Sequence, residues 1–288
     1  MIGSGPLASG LASAILVAAL LGGGAADPEE SLRADELVGE RSIAALEALD
    51  ALISAFSPAL EAARNGSALV VQGDESPGAR LQAAAEMLEG ATGEAESADR
   101  ALAALDGARR ARDPDALAFP PVVGPAELEE IADTLRAAAP QAEAVAELRH
   151  RVAEVLDRTD RALAALVAER HAEARREVDA ARTSFDAVTV PAGGGDAFIV
   201  WLGTTDAMIT AVTSLIDASA AGDSAAVASA AADFAAVAED APTADRALRI
   251  AIAERAAAAT GAAMSRIGEA SAGLEQLRAG IASQDPRR

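Results

Sequence analysis

The sequence predicts an all-α protein, an elongated bundle of about six long helices organised around one long central helix. Three observations carry that prediction. The stretch from Pro140 to Val188 holds no Gly, and no Pro after its first residue, so nothing in it breaks a helix. Its apolar side chains (Val145, Leu148, Val152, Val155, Leu163, Leu166, Val178, Phe185 and Val188) recur at a helical period, with Thr159, Arg170, Ala174 and Ala181 in the same register. As a single helix this spine would be about 70 Å long. Apolar residues make up 51% of the 288, but Ala supplies most of them and aromatics only 2%. A core of Ala and Leu suits closely packed helices, whereas strands need β-branched and aromatic runs. Only Ala68 to Val71 and Pro121 to Val123 offer short runs of that kind.

Leu11 to Leu21 is an uninterrupted apolar run, followed by Gly22 to Ala26 and then the acidic Asp27-Pro28-Glu29-Glu30. A run of about 11 apolar residues suits a signal-peptide core better than the ~20 of a spanning helix. Gly24 and Ala26 are small enough for cleavage before Asp27, although no Arg or Lys precedes the run. Residues 1–26 therefore read as a signal peptide or N-terminal membrane anchor, 27–112 as an N-terminal helical hairpin region, 113–124 as a Pro-rich linker and 125–288 as a long-helix bundle, with 27–288 compatible with one domain.

Within 27–112 the first helix starts near Pro28 with Asp27 as its cap. Its stripe is Leu32, Ile43, Leu46, Ile53, Phe56 and Leu60, with breaks expected at Ser57-Pro58, at Asn65-Gly66 and finally at Gly73-Asp74. Ser76-Pro77 caps a second helix carrying Leu81, Leu88, Leu102 and Leu105, interrupted at Gly90 to Gly93. Pro114, Pro120 and Pro121 make 113–124 an extended connector, with Phe119, Val122 and Val123 packing on the nearest helix. Pro125 opens a short helix, with Leu128, Ile131 and Leu135 inward, that leads into the spine. Thr189 to Gly195 is a loop, and Asp196 caps a helix from Ala197 to Ala221 with the stripe Phe198, Trp201, Thr205, Met208, Val212 and Leu215. It carries only Asp206 and Asp217 as charges and holds the single Trp, so it is expected to be the most buried helix. Gly222-Asp223 ends it and caps a helix to Glu239. Pro242 opens the last helix, with Leu248, Ile252, Ile267, Leu274, Leu277 and Ile281 inward, and the tail from Gln284 is expected to fray.

Asp-Arg-Ala-Leu recurs at Asp99, Asp160 and Asp245. The first and third copies each follow a Gly-Asp break, which allows a duplicated three-helix unit. The alternative is that Ala-rich amphipathic helices resemble one another by composition.

Charge and composition exclude several functions. The net charge is −21, all 24 basic residues are Arg and Cys is absent. Such a surface repels nucleic-acid phosphates, and without Cys there is no disulfide, thiol chemistry or Cys-ligated metal. Glu147 and His150 form the Glu-x-x-His pattern that puts two metal ligands on one helix face, but His171 has Ala168 where a second Glu would stand. Gly193 to Asp196 lacks the strand and Lys of a phosphate loop. The carboxylates at Asp27 to Glu40, Glu86 to Asp99 and Glu127 to Asp133 lack the spacing of a calcium loop and read as solvated faces.

The expectation is an exported, extracytoplasmic, non-enzymatic binding or scaffold module without a cofactor. It meets a protein partner or itself through helix faces, binds no nucleic acid, and touches a membrane only if its N-terminal segment is uncleaved. Two alternatives stand beside it: a small-ligand receptor with a pocket at Phe198, Trp201 and Met208, and a metal-binding bundle using Glu147 and His150.

Overall fold

The computed structural model describes residues 28–72, 75–189 and 195–283. The expected signal segment, the Gly73-Asp74 stop, most of the loop before Gly195 and the C-terminal tail lie outside them. The described residues form seven helices and no strand, so the fold is all-α. The helices are α1 (Pro28–Gln72), α2 (Pro77–Gly90), α3 (Thr92–Arg112), α4 (Pro125–Val167), α5 (His171–Asp186), α6 (Gly195–Ala221) and α7 (Ser224–Ser283).

They are distributed over two compact units. Residues 28–54, 91–125 and 272–283 make the first, and 55–72, 75–90, 126–189 and 195–271 the second. In the first, Leu49, Leu52, Leu102, Leu105, Leu274 and Ile281 are buried. Arg112 bridges Asp35 at 2.7 Å and Arg278 bridges Asp50. The connector 113–124 is extended, as its prolines require, with Val122 and Val123 buried. Its backbone is clasped by α3: Arg109 donates to the Leu117 carbonyl at 2.9 Å and lies 4.3 Å from the Phe119 ring centroid. The Asp106 carboxylate accepts the Phe119 N–H.

The second unit is built on α4 and α7, which run antiparallel, with Arg266 against Glu130 at 2.6 Å. Residues 55–72 of α1 and α2 close on one end of the pair. Ser67 and Thr260 share a hydroxyl hydrogen bond of 2.9 Å, Arg149 donates to the Val71 carbonyl, and Arg136 bridges Glu89. The α5–α6 hairpin closes on the other end. Val155, Ala162 and Ala165 of α4 meet Ala174, Val178 and Ala181 of α5 and Ile209, Val212 and Ile216 of α6, with Phe234 of α7 at the margin. Alanine in such a layer lets helix axes approach closely, which compensates for the small area each side chain buries.

The predicted spine is not one helix. It ends at Val167, turns through Ala168 to Arg170, and returns as α5. Glu169 sits at φ +59°, the Arg170 N–H donates to the Ala165 carbonyl and the Glu169 N–H to Leu166. This is a Schellman C-cap, which normally takes Gly because a Cβ crowds the left-handed conformation. Without Gly or Pro the sequence does not announce it. The fold imposes it, because Arg158 faces Glu177 and Arg151 reaches the Ala187 carbonyl only when the chain doubles back. Glu169→Gly is therefore expected to raise stability by about 0.5–1 kcal/mol, read as a higher Tm in thermal circular dichroism. An unchanged or lower Tm would mean the turn carries no such strain.

Other breaks were expected and do not occur. Pro58, Pro140 and Pro242 lie inside α1, α4 and α7, so a restart of the helix at Ser57-Pro58, the separate short helix before the spine and the separate final helix are all corrected. All three rings are solvent-exposed, where water can satisfy the carbonyl that loses its amide donor. Asn65-Gly66 is also helical. Gly66 faces α2, and a Cβ there would sit 3.1 Å from Leu81. The register of the first part of α1 differs too: Val38, Ser42, Ala45, Leu49 and Leu52 are buried there, whereas Leu32 and Ile43 are 64% and 40% exposed; Phe56 and Leu60 are buried as expected. The stripe includes small and polar residues that a count of large apolar side chains passes over.

The copies of Asp-Arg-Ala-Leu do not share one environment: Asp99 and Asp160 are exposed while Asp245 is half-buried, and α7 has no counterpart of the break at Ala91.

Candidate functional site

Phe198 and Trp201 are where the sequence placed them, on the inward face of α6, 1% and 0% exposed. The α6 stripe runs Phe198, Trp201, Thr205, Ile209, Val212 and Ile216, so Met208 and Leu215 fall beside it and are only half-buried. The Trp201 indole N–H donates to Asp245 at 2.9 Å, and its ring lies 6.2 Å from that of Phe185. Trp201 is thus a core residue joining α6 to α7. The helix is not buried all round either, since Ile199 and Val200 are 65% and 54% exposed. It begins at Gly195, so Asp196 lies in its first turn rather than before it. By length and composition α6 and much of α1 are apolar enough to cross a membrane. Both acidic residues in the body of α6 are paired across the hairpin, Asp206 with Arg182 and Asp217 with Arg175.

The metal-binding alternative requires Glu147 and His150 to face inward, whereas a solvent-facing pair is what a charged helix surface predicts. Both are exposed on α4, and Glu147 accepts a hydrogen bond from Arg151 at 2.7 Å. Among the described residues no group of three His, Asp or Glu side chains is placed to hold a metal ion. His171 opens α5, half-buried and 21 residues along the chain from its fellow. Some carboxylates of the predicted clusters pair with arginines on the surface, as Glu89 and Asp133 do with Arg136.

A concave feature with a largely apolar lining lies elsewhere in the second unit. It is a groove of about 570 Å³ between α4 and α7, closed at one side by the end of α5. From α4 come Gln141, Ala144, Val145, Glu147, Leu148 and Arg151, whose spacing of three and four puts them on one face. From α7 come Arg255, Ala258 and Ala259, and from beyond α5 come Ala187 and Thr189. Two sequence features create the space. The run Ala256 to Ala259 brings no side chain beyond Cβ to fill the gap opposite Val145 and Leu148, and α5 stops at Asp186.

The polar rim is organised by two guanidinium groups. Arg151 is held by Glu147 on one side, and on the other it donates to the Ala187 carbonyl at 2.9 Å, satisfying a carbonyl at the C-terminal end of α5. Arg255 lies 5.5 Å from the Phe198 ring centroid, within cation–π range. Phe198 therefore backs the groove through Arg255 without facing it. Glu154, one turn beyond Arg151, has its carboxyl held below the ordinary range, chiefly by its hydrogen bond from Arg158.

A smaller cavity of about 380 Å³ in the first unit is lined by Ser42, Arg109, Arg112, Asp113 and Phe119. Its arginines are committed to Asp106, the Leu117 carbonyl and Asp35. Val38, Leu105 and Ile281 line it as well.

The groove residues escape a reading of the sequence because Glu147 and Arg151 look like an ordinary i,i+4 surface pair. The available signal was the four-alanine run after Arg255. Compared with family models, curated proteins and solved structures, the chain matches none.

Proposed function

We propose that the chain is an exported, non-enzymatic helical binding module of the cell envelope that works through the α4–α7 groove. One observation carries this reading: an apolar floor of Val145, Leu148 and Ala259 lies beneath two arginines, in a protein of net charge −21. A concavity of about 570 Å³ is within the range of small-molecule sites. Export rests on the apolar run Leu11 to Leu21 and the acidic sequence after it. A second reading, docking of a protein partner on a helix face, draws on the exposed Ile199 and Val200 of α6.

Native mass spectrometry of the protein purified from its own envelope fraction tests this. The expected result is an adduct of a few hundred daltons, lost on denaturation and absent from Ala259→Trp, whose indole fills the groove. An adduct of protein size would favour the second reading. A small adduct that survives Ala259→Trp, in a variant of unchanged helicity, would remove the groove from the proposal.

A further inference from the structure

We infer that the α4–α7 groove takes a single-chain amphiphile with one anionic head group, of the fatty-carboxylate class; this rests on the groove being the binding element. The two ends of such a ligand match two parts of the groove. Val145 and Leu148, 9% and 7% exposed, and the small Ala258 and Ala259 opposite them form the apolar part of the lining, with Gln141 and Thr189 as its neutral polar members. An alkyl chain laid there gains burial, and a polar ligand would lose hydration without replacement.

The head group is set by the rim. Two guanidinium groups and one carboxylate border the groove, so its lining is cationic by one charge in a protein that is otherwise strongly acidic. Arg151 directs its Nε at Glu147 and Nη1 at the Ala187 carbonyl. Those two bonds fix its plane and use only two of the five donors of a guanidinium. A carboxylate is the head group whose geometry suits the remaining edge of that fork. A cationic amphiphile meets repulsion at the same rim, and a neutral one gains nothing from it. The net charge of the rest of the surface disfavours anions there.

The test is isothermal titration calorimetry of the full chain with decanoate, decanol and decyltrimethylammonium, each below its aggregation threshold. The expected result is one decanoate per chain, about tenfold tighter than decanol, with the cation weaker still and the preference shrinking as salt is added. Arg255→Gln should abolish the preference for decanoate over decanol. Ala259→Trp, and Ala258→Trp on the exposed lip, should each abolish decanoate binding while helicity is retained. Equal or tighter binding of decanol or the cation, or no binding of decanoate, would overturn the ligand class. An envelope-derived adduct sensitive to Ala259→Trp would still leave the groove standing as a site for something else. Decanoate binding that survives both tryptophan substitutions would overturn the inference outright.

Discussion

Trp201→Ala is expected to lower stability by about 3–5 kcal/mol, the range for deleting a buried aromatic. Trp201 is the largest fully buried side chain, at 0% exposure. It joins three helices: its own α6, α7 through the hydrogen bond to Asp245, and α5 through the Phe185 ring. Alanine removes the ring, leaves a cavity and releases both neighbours. Trp201→Phe retains most of the packing but takes away the indole N–H. Its loss should be smaller, about 1–2 kcal/mol, because half-buried Asp245 can turn to water. Asp245→Asn keeps an acceptor and should cost less again. Urea unfolding followed by far-ultraviolet circular dichroism ranks the three. Trp201→Ala losing no more than Asp245→Asn would show that the ring does not hold the hairpin to α7. As the only Trp, residue 201 also reports directly on its burial, and its native emission should resist iodide quenching.

Gly78→Ala is expected to destabilise by about 1–3 kcal/mol, the cost of overpacking a close contact. Intrinsic helix propensity argues the other way, since Ala is favoured over Gly by about 1 kcal/mol in a helix interior. Geometry decides between them. A Cβ at residue 78 would lie 3.0 Å from the Ala139 carbonyl oxygen of α4 and 3.0 Å from the Glu143 carboxylate. The carbonyl belongs to a helix backbone and cannot swing aside. The carboxylate is committed as well, because it accepts from the Gly78 N–H at 3.1 Å and the Ser76 hydroxyl at 2.6 Å, serving donors at the start of α2. Gly261→Ala provides the control. Gly261 lies in α7, and nothing stands within 4 Å of the position its Cβ would take, so the same substitution should stabilise by about 0.5–1 kcal/mol. Thermal unfolding of the two variants should move in opposite directions. Equal upward shifts would show that the α2–α4 contact relaxes freely.

Those two glycines mark the boundary between what could be read in the chain and what could not. The all-α class follows from local chemistry: Ala and Leu at helical spacing, no β-branched runs, and breaks at Ser76-Pro77, Ala91 and Gly222-Asp223. The cap at Asp223, which accepts the N–H groups of Ala225 and Ala226, was legible for the same reason. So were the buried Leu, Ile and Val of α4 before Thr159, and Leu248, Ile252, Ile267, Leu274, Leu277 and Ile281 of α7.

Only the tertiary structure decided the rest. The turn at Glu169 offsets its conformational cost with contacts between α4 and α5, and no residue within it encodes a stop. Pro58, Pro140 and Pro242 stay helical because their rings face solvent. The register of α1, and the displacement of Met208 by Ile209, turn on which face meets a neighbour when alanine occupies every face. The groove is the extreme case. It exists because the small Ala258 and Ala259 of α7 lie opposite Val145 and Leu148, about 110 residues earlier in the chain. A space is defined by the elements around it, and the residues that leave it empty carry no chemical signature of their own.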